Sequence, residues 1–70
     1  MITAKVTCQT KAPAGEGQFE VTFVPDYADG RNKDWALYTP SLSLSMTVRG
    51  EVADRFEPGR AYTLQFVEEA

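Results

Sequence analysis

Apolar and polar residues alternate in four separate stretches of the chain, residues 2–10, 18–24, 41–48 and 62–68. Alternation with a period of two is typical of a β-strand with one buried face, because successive side chains of a strand point to opposite sides. The run "SLSLSMTV" of residues 41–48 alternates without a break, which specifies the buried face. The alternation predicts four strands with the inward residues Ile2, Ala4, Val6, Cys8, Phe19, Val21, Phe23, Leu42, Leu44, Met46, Val48, Tyr62, Leu64 and Phe66.

The first two connections between these strands carry turn-forming residues. Residues 11–18 contain a proline and two glycines, which predict a long loop joining the first two strands as an antiparallel hairpin. Residues 25–40 form the longest connection, bounded by Pro25 and Pro40, and Asp34 is expected to cap a helical turn within it. A connection of this length in a small domain is usually functional or disordered. Its tryptophan and two tyrosines argue against disorder and favour function.

The last connection predicts one more short helical element. Val52, Ala53 and Phe56 stand at the spacing of one helix face, and Pro58-Gly59 suits the centre of a type II turn. Taken together, the elements predict a mainly β fold: a small antiparallel sheet of four main strands, curled into a partial barrel or built as a compact sandwich. One long loop and one or two short helical turns complete it.

The 70-residue length predicts a single small β domain, residues 1–70. A chain this short buries little surface, and small folds often depend on disulfides, metals or partners. One cysteine excludes an intrachain disulfide, and the lack of histidine removes the usual ligands of a structural zinc site. We therefore expect a homo-oligomer.

The net charge of −3, with ten acidic and seven basic residues, argues against binding to duplex nucleic acid, which depends on clustered Lys and Arg. No apolar stretch reaches the length of a membrane span, and the first residues lack the pattern of a signal peptide. The chain is therefore expected to be soluble and intracellular, without a membrane partner.

The composition disfavours catalysis, so we expect no enzyme, no cofactor and no metal. Histidine, the commonest general base, is absent, and Cys8 falls on the apolar face of the first strand, where it is expected to be a buried small hydrophobe. Asp26, Asp29 and Asp34 share one loop, but their spacing does not match a calcium loop, and we interpret them as turn and cap residues.

The long loop holds the best candidates for ligand binding. Aromatic side chains beside cations and hydroxyls can stack on a base and hold a phosphate. Trp35 fits this site, although a sole tryptophan also commonly plugs the end of a core. Two arginines flank the last two strands and would share an edge if those strands pair. The candidate ligand-binding residues are Tyr27, Arg31, Lys33, Trp35, Tyr38, Thr39, Ser41, Arg49 and Arg60.

Two stretches of the C-terminal half, "WALYTPSLSLSMTV" and "ADRFEPGRAYTLQF", resemble a pattern in short proteins of tailed bacteriophages. The pattern is an aromatic residue, Thr-Pro-Ser, an alternating strand, then Phe, Pro-Gly, Tyr and a final alternating strand. The resemblance covers residues 35–67 and departs at Leu42, where the pattern often has glycine. It implies a phage source, a fold and location in the host cytoplasm, but no activity.

Three functions fit these observations. The first is a non-enzymatic phage binding protein that sequesters a small anionic, nucleotide-like ligand at an oligomer interface and so antagonises a host defence. The second is a protein–protein interaction module that inhibits a host protein or belongs to the virion, since a sheet edge can pair with a partner strand. The third is a single-stranded nucleic-acid-binding accessory protein, against which the acidic balance weighs.

Overall fold

A computed structural model of the chain describes residues 2–28 and 30–69. Four antiparallel strands form one sheet in the order β3-β2-β1-β4, curled into a half barrel. The prediction of a mainly β, partly closed sheet is confirmed, and a second sheet, as in a sandwich, is absent from the described residues. The elements are β1 (Ile2–Gly15), β2 (Gln18–Pro25), a 3-10 helix (Gly30–Asp34), β3 (Leu44–Arg49), α1 (Gly50–Ala53) and β4 (Ala61–Phe66).

The predicted loop of residues 11–18 is mostly strand. β1 continues to Gly15 and β2 begins at Gln18, so the hairpin turns through two residues only. Gly15 and Gly17 have φ of 136° and 69°, which side-chain-bearing residues rarely adopt. Pro13 is tolerated in β1 because β4 pairs only with residues 2–7, which leaves the far half of β1 at the edge of the sheet.

A bulge in β1 changes which residues face inward. The pairing shifts between Cys8↔Phe23 and Thr10↔Thr22, so that one residue of β1 is extra. Lys11 is thereby placed on the same side of the sheet as Cys8, opposite Val21. Its Nζ donates hydrogen bonds to the carbonyls of Ala53 and Phe56, each at 3.2 Å, which fastens the segment after α1 to the sheet.

The core lies on the inner side of the curl, which we call the concave face. Ala4, Val6, Cys8, Val21 and Phe23 are buried there. Around them lies a second set of predicted inward residues that are only half-buried: Leu42, Leu44, Met46, Val48, Tyr62 and Leu64, with Trp35 and Phe56 from the connections. Ile2 and Phe66, paired at one end of the sheet, stay more than half exposed. The face is therefore only partly covered.

Part of the cover of the concave face comes from the connection between β3 and β4. Phe56 meets Phe23 and Tyr62 edge-on, with ring centroids 5.3 and 5.2 Å apart. The Tyr62 hydroxyl accepts a hydrogen bond from the Glu57 N–H at 2.9 Å and donates one to the Arg55 carbonyl at 3.3 Å. This connection is thereby held across one end of the half barrel.

Several predicted boundaries move. The third strand starts at Leu44 rather than residue 41, and the last strand is Ala61–Phe66 rather than 62–68. The helix before it is shorter and earlier than the spacing of residues 52–56 predicts, since α1 is Gly50–Ala53. The Pro58-Gly59 turn is confirmed: Gly59 has φ of 92°, and the Arg60 N–H donates to the Glu57 carbonyl at 3.1 Å. No helix in residues 2–28 or 30–69 is long and apolar enough to cross a membrane.

The long loop is held to the sheet by Asn32, which has no exposed surface. Its Oδ1 accepts from the Lys5 N–H at 2.8 Å and from Trp35 Nε1 at 3.3 Å. Its Nδ2 donates to the carbonyls of Lys5 at 2.9 Å and Asp26 at 2.8 Å. The predicted helical turn capped by Asp34 is wrong, because the 3-10 helix ends at that residue instead of beginning after it. The helix contains Asn32 and places it against the strand.

Replacing Asn32 should destabilise the fold strongly. Asn32→Ala removes all four hydrogen bonds and leaves buried backbone groups without partners, at a cost of about 2–4 kcal/mol. Asn32→Asp keeps the shape but turns a carboxylate oxygen toward two carbonyls, and should cost at least as much at neutral pH. Urea unfolding followed by circular dichroism measures both. Lys33→Ala, the exposed neighbour, is the control and should change stability by less than about 0.5 kcal/mol; equal losses for Asn32→Ala and the control would contradict this role.

Candidate functional site

The long loop forms a surface cleft of about 380 Å³. Four predicted ligand-binding residues, Tyr27, Lys33, Tyr38 and Thr39, line it together with Pro40. Lys33 lies in the 3-10 helix, Tyr27 precedes it and Tyr38 and Thr39 follow it, so the folding of the loop brings them together. We call this cleft, with its five lining residues, the loop cleft.

The loop cleft is positioned by bonds at its base. The Asp26 carboxylate accepts the Ala28 N–H at 2.9 Å in a local turn and pairs with Lys5 Nζ at 3.3 Å. Asn32 fixes the 3-10 helix, and Pro40 is buried where the loop returns to the sheet. Both ends of the loop are therefore tied to the half barrel.

The side chains of the loop cleft are open to solvent. Tyr38 is 85% exposed and Tyr27 is 61% exposed, which leaves aromatic surface free for stacking. The Lys33 ammonium makes no ion pair within residues 2–28 and 30–69. The Thr39 hydroxyl adds a donor and acceptor. A planar, negatively charged molecule matches this set, since a ring can lie on a tyrosine while its anionic group meets Lys33.

Trp35 lies between two surface regions. One side of it borders a depression of about 550 Å³ beside the loop cleft, which also includes Lys33 and Tyr38. The other side packs on the core and lines an apolar cavity with Ala4 and Leu42. Its indole N–H donates to Asn32, and its packed side closes one end of the concave face, as expected for a tryptophan at the end of a core. The other side of the ring remains next to the candidate site.

The other candidate residues lie elsewhere. Arg31 donates to the Thr63 hydroxyl at 3.1 Å on β4, and Ser41 is exposed outside the cleft lining. Arg49 pairs with Glu51 at 3.4 Å, and Arg60 pairs with Glu57 at 2.8 Å. Both of these pairs are exposed and contribute little to stability.

The expectation that Arg49 and Arg60 share an edge is wrong, because their strands do not pair. β3 and β4 are the two outer strands of the sheet, with β2 and β1 between them. The physical reason is the long β1, which pairs with β2 through one half and with β4 through the other. The loop cleft therefore gains no arginine from the last two strands.

The sequence reasoning missed an apolar surface on the concave face. A cavity of about 330 Å³ opens there between Ile2, Ala4, Trp35, Leu42 and Phe66. A second, of about 200 Å³, is lined by Val6, Phe23, Leu44, Met46, Phe56, Tyr62, Thr63 and Leu64. The signal was present in the sequence: fourteen inward positions were predicted for one sheet, with only short helical turns to cover them.

The acidic residues of the loop do not gather into a metal site. No group of three or more potential ligands occurs in the part of the chain that the structure describes. Asp26 is occupied by its turn and by Lys5, Asp34 ends the 3-10 helix, and Asp29 lies outside the described residues.

Comparison of the chain with protein-family models, with curated proteins and with solved structures finds no significant match.

The Cys8 thiol should react slowly. It is 1% exposed, and burial raises its pKa, with the nearby Lys11 ammonium lowering it by a smaller amount. The reactive thiolate is therefore scarce and shielded at neutral pH. Labelling with an aromatic disulfide reagent should be at least about 100-fold slower in native protein than in guanidinium. Labelling of the native chain at the rate of the unfolded chain would show that the first strand is not packed as described.

Proposed function

We propose that the chain is a non-enzymatic phage accessory protein that binds a small anionic, nucleotide-like molecule in the loop cleft. Such a protein acts by stoichiometry, because each bound molecule is withdrawn from its host pathway. If that pathway is a host defence signal, the protein is an antagonist of it. The phage assignment is supported by the pattern in residues 35–67.

The observation that carries the proposal is that two exposed tyrosines lie beside a lysine that makes no ion pair with any residue the structure describes. Tyr27, Lys33 and Tyr38 border one cleft, although they are spread over twelve positions of the chain. Base stacking on an aromatic ring contributes about 1–3 kcal/mol, and a charge-assisted contact to phosphate adds to it. Micromolar affinity requires about 8 kcal/mol in total, so both tyrosines and Lys33 must contact the ligand together.

The acidic net charge is compatible with a small anion as ligand. Binding of a long nucleic acid depends on many phosphates meeting a basic surface, whereas a small anion needs only a local positive group. Lys33 supplies that group, and the neighbouring Asp34 makes the adjacent depression less favourable for phosphate. A ligand with one or two phosphates and an aromatic base therefore suits the site better than a polymer.

Calorimetry and Trp35 fluorescence test the proposal, with mononucleotides and cyclic dinucleotides as probes. Binding of at least one probe at one molecule per chain or fewer is expected, with a change in Trp35 emission because this ring borders the adjacent depression. Lys33→Gln and Tyr38→Ala should each weaken binding by about tenfold or more. Arg55→Gln, an exposed charge loss after α1, is the matched control and should bind as the unmodified chain does.

Two results would contradict the proposed nucleotide site. No heat with any nucleotide probe would remove a nucleotide-like ligand from the proposal. Binding that Lys33→Gln and Tyr38→Ala leave intact would place the site outside the loop cleft.

A second candidate function is a protein–protein interaction module. The observation that favours it is the pair of outer strands, β3 and β4, whose free edges can accept a strand from another protein. Capture of a single host protein from lysate by tagged chain, abolished by a proline at Thr47 of β3, would support this function over the first.

A further inference from the structure

The concave face carries a second inference, independent of the loop cleft. We propose that this face is the interface of a homodimer, in which a second copy of the chain covers the half-buried core. The occupant is another half barrel, and the interface uses the same face of both copies about a two-fold axis.

The exposed area is the first argument. A folded monomer of 7.8 kDa is expected to expose about 4,400 Å². The chain exposes 5229 Å², an excess of about 800 Å². One partner of a standard stable interface buries about 800 Å². The surplus surface is thus the amount that one copy would lose on dimerisation.

The distribution of the apolar side chains is the second argument. Apart from two prolines, only six apolar residues are buried among those described, which is a small core for 70 residues. The half-buried set that includes Leu44, Met46 and Leu64 is contiguous with that core on one side of the sheet. The molecule is only 16 Å thick in its shortest dimension, close to one sheet with one layer of side chains. A second layer would complete the core.

Charge is the third argument. Among strand residues on the concave face, the register places a single charged side chain, Lys11. Its ammonium is already held by two carbonyls near the segment that covers one end of the face. Two identical faces can therefore meet without like charges opposing each other. Opposed like charges disfavour the self-association of an ordinary charged surface.

The outer strands fit the same arrangement. Strand directions alternate across the sheet, so β4 of one copy and β3 of another run antiparallel about a two-fold axis along the strands. Two half barrels facing each other in this way make eight strands. That number encloses an interior just wide enough for side chains to fill, and closure removes the unpaired edges.

A small apolar ligand fits the face less well than a second copy. The two cavities measure about 330 and 200 Å³ and are open. Small-molecule sites are clefts of about 300–1,000 Å³ that enclose most of the ligand. A small molecule in either cavity would cover only part of the surplus surface area, whereas a partner packed face to face would cover both cavities.

Sedimentation and light scattering over a roughly hundredfold range of concentration test the proposal. The mass is expected to rise to twice that of one chain, and the melting temperature should increase with concentration. Phe66→Lys and Ile2→Lys place charges at exposed positions of the concave face, so the monomer should still fold, as circular dichroism will show. Each should weaken the dimer by about 100-fold.

Leu37→Lys is the matched control. It makes the same apolar-to-lysine change at an 87% exposed position outside the concave face, and should leave dimerisation unchanged. Nucleotide binding to Phe66→Lys is measured in parallel. Because the loop cleft lies outside the interface, loss of the dimer with binding retained separates this proposal from the proposed function.

Three results would overturn the dimer. The first is a mass of one chain at every concentration. The second is one chain with a small apolar molecule bound, as seen by native mass spectrometry. The third is a dimer that resists Phe66→Lys and Ile2→Lys as well as it resists Leu37→Lys, which would place the interface on another surface.

Discussion

The side-chain amide of Asn32 takes the place of a neighbouring strand beside Lys5. β2 ends at Pro25, and beyond it the Asp26 N–H bonds only the Lys5 carbonyl of β1, at 3.0 Å. The amide offers a donor and an acceptor as a peptide group does, and it bonds both the N–H and the carbonyl of Lys5. Because the same amide also holds Asp26 and Trp35, one buried side chain ties the long loop to the sheet. The loop cleft and the end of the concave face both depend on it.

A second constraint is that one curled sheet has to bury its inner face with very little other structure. α1 has four residues, and the segment that follows it covers only one end, where Phe56 meets Phe23 and Tyr62. Trp35 covers the opposite end. The centre and the rim at Ile2 and Phe66 stay open. A second copy packed on this face, as proposed above, would supply the missing layer.

The two surfaces have different chemistry and suggest different tasks. The loop cleft is polar and aromatic, its Lys33 ammonium has no ion-pair partner in the described part of the chain, and it suits a small charged molecule. The concave face is almost wholly apolar and suits an apolar surface such as the same face of a second copy of the chain. Trp35 borders both. Dimerisation would bury one side of this ring while the other side remains beside the loop cleft, so a dimer would stiffen the site without occupying it.

The sequence by itself determined the strands and the faces they bury. The alternation around Val6, Val21 and Met46 specified which side is apolar, because a strand places every second residue on one face wherever it lies. It also marked the long loop and the aromatic residues within it. Only the tertiary structure decided what pairs with what. The extension of β1 through Pro13, its bulge, and the placing of β3 and β4 at opposite edges depend on hydrogen bonds between residues far apart in the chain, which local pattern does not encode. For the same reason the sequence pattern did not single out Asn32, and it left open a shared edge for Arg49 and Arg60 that their strands do not form. Burial and long-range pairing gave these residues their roles.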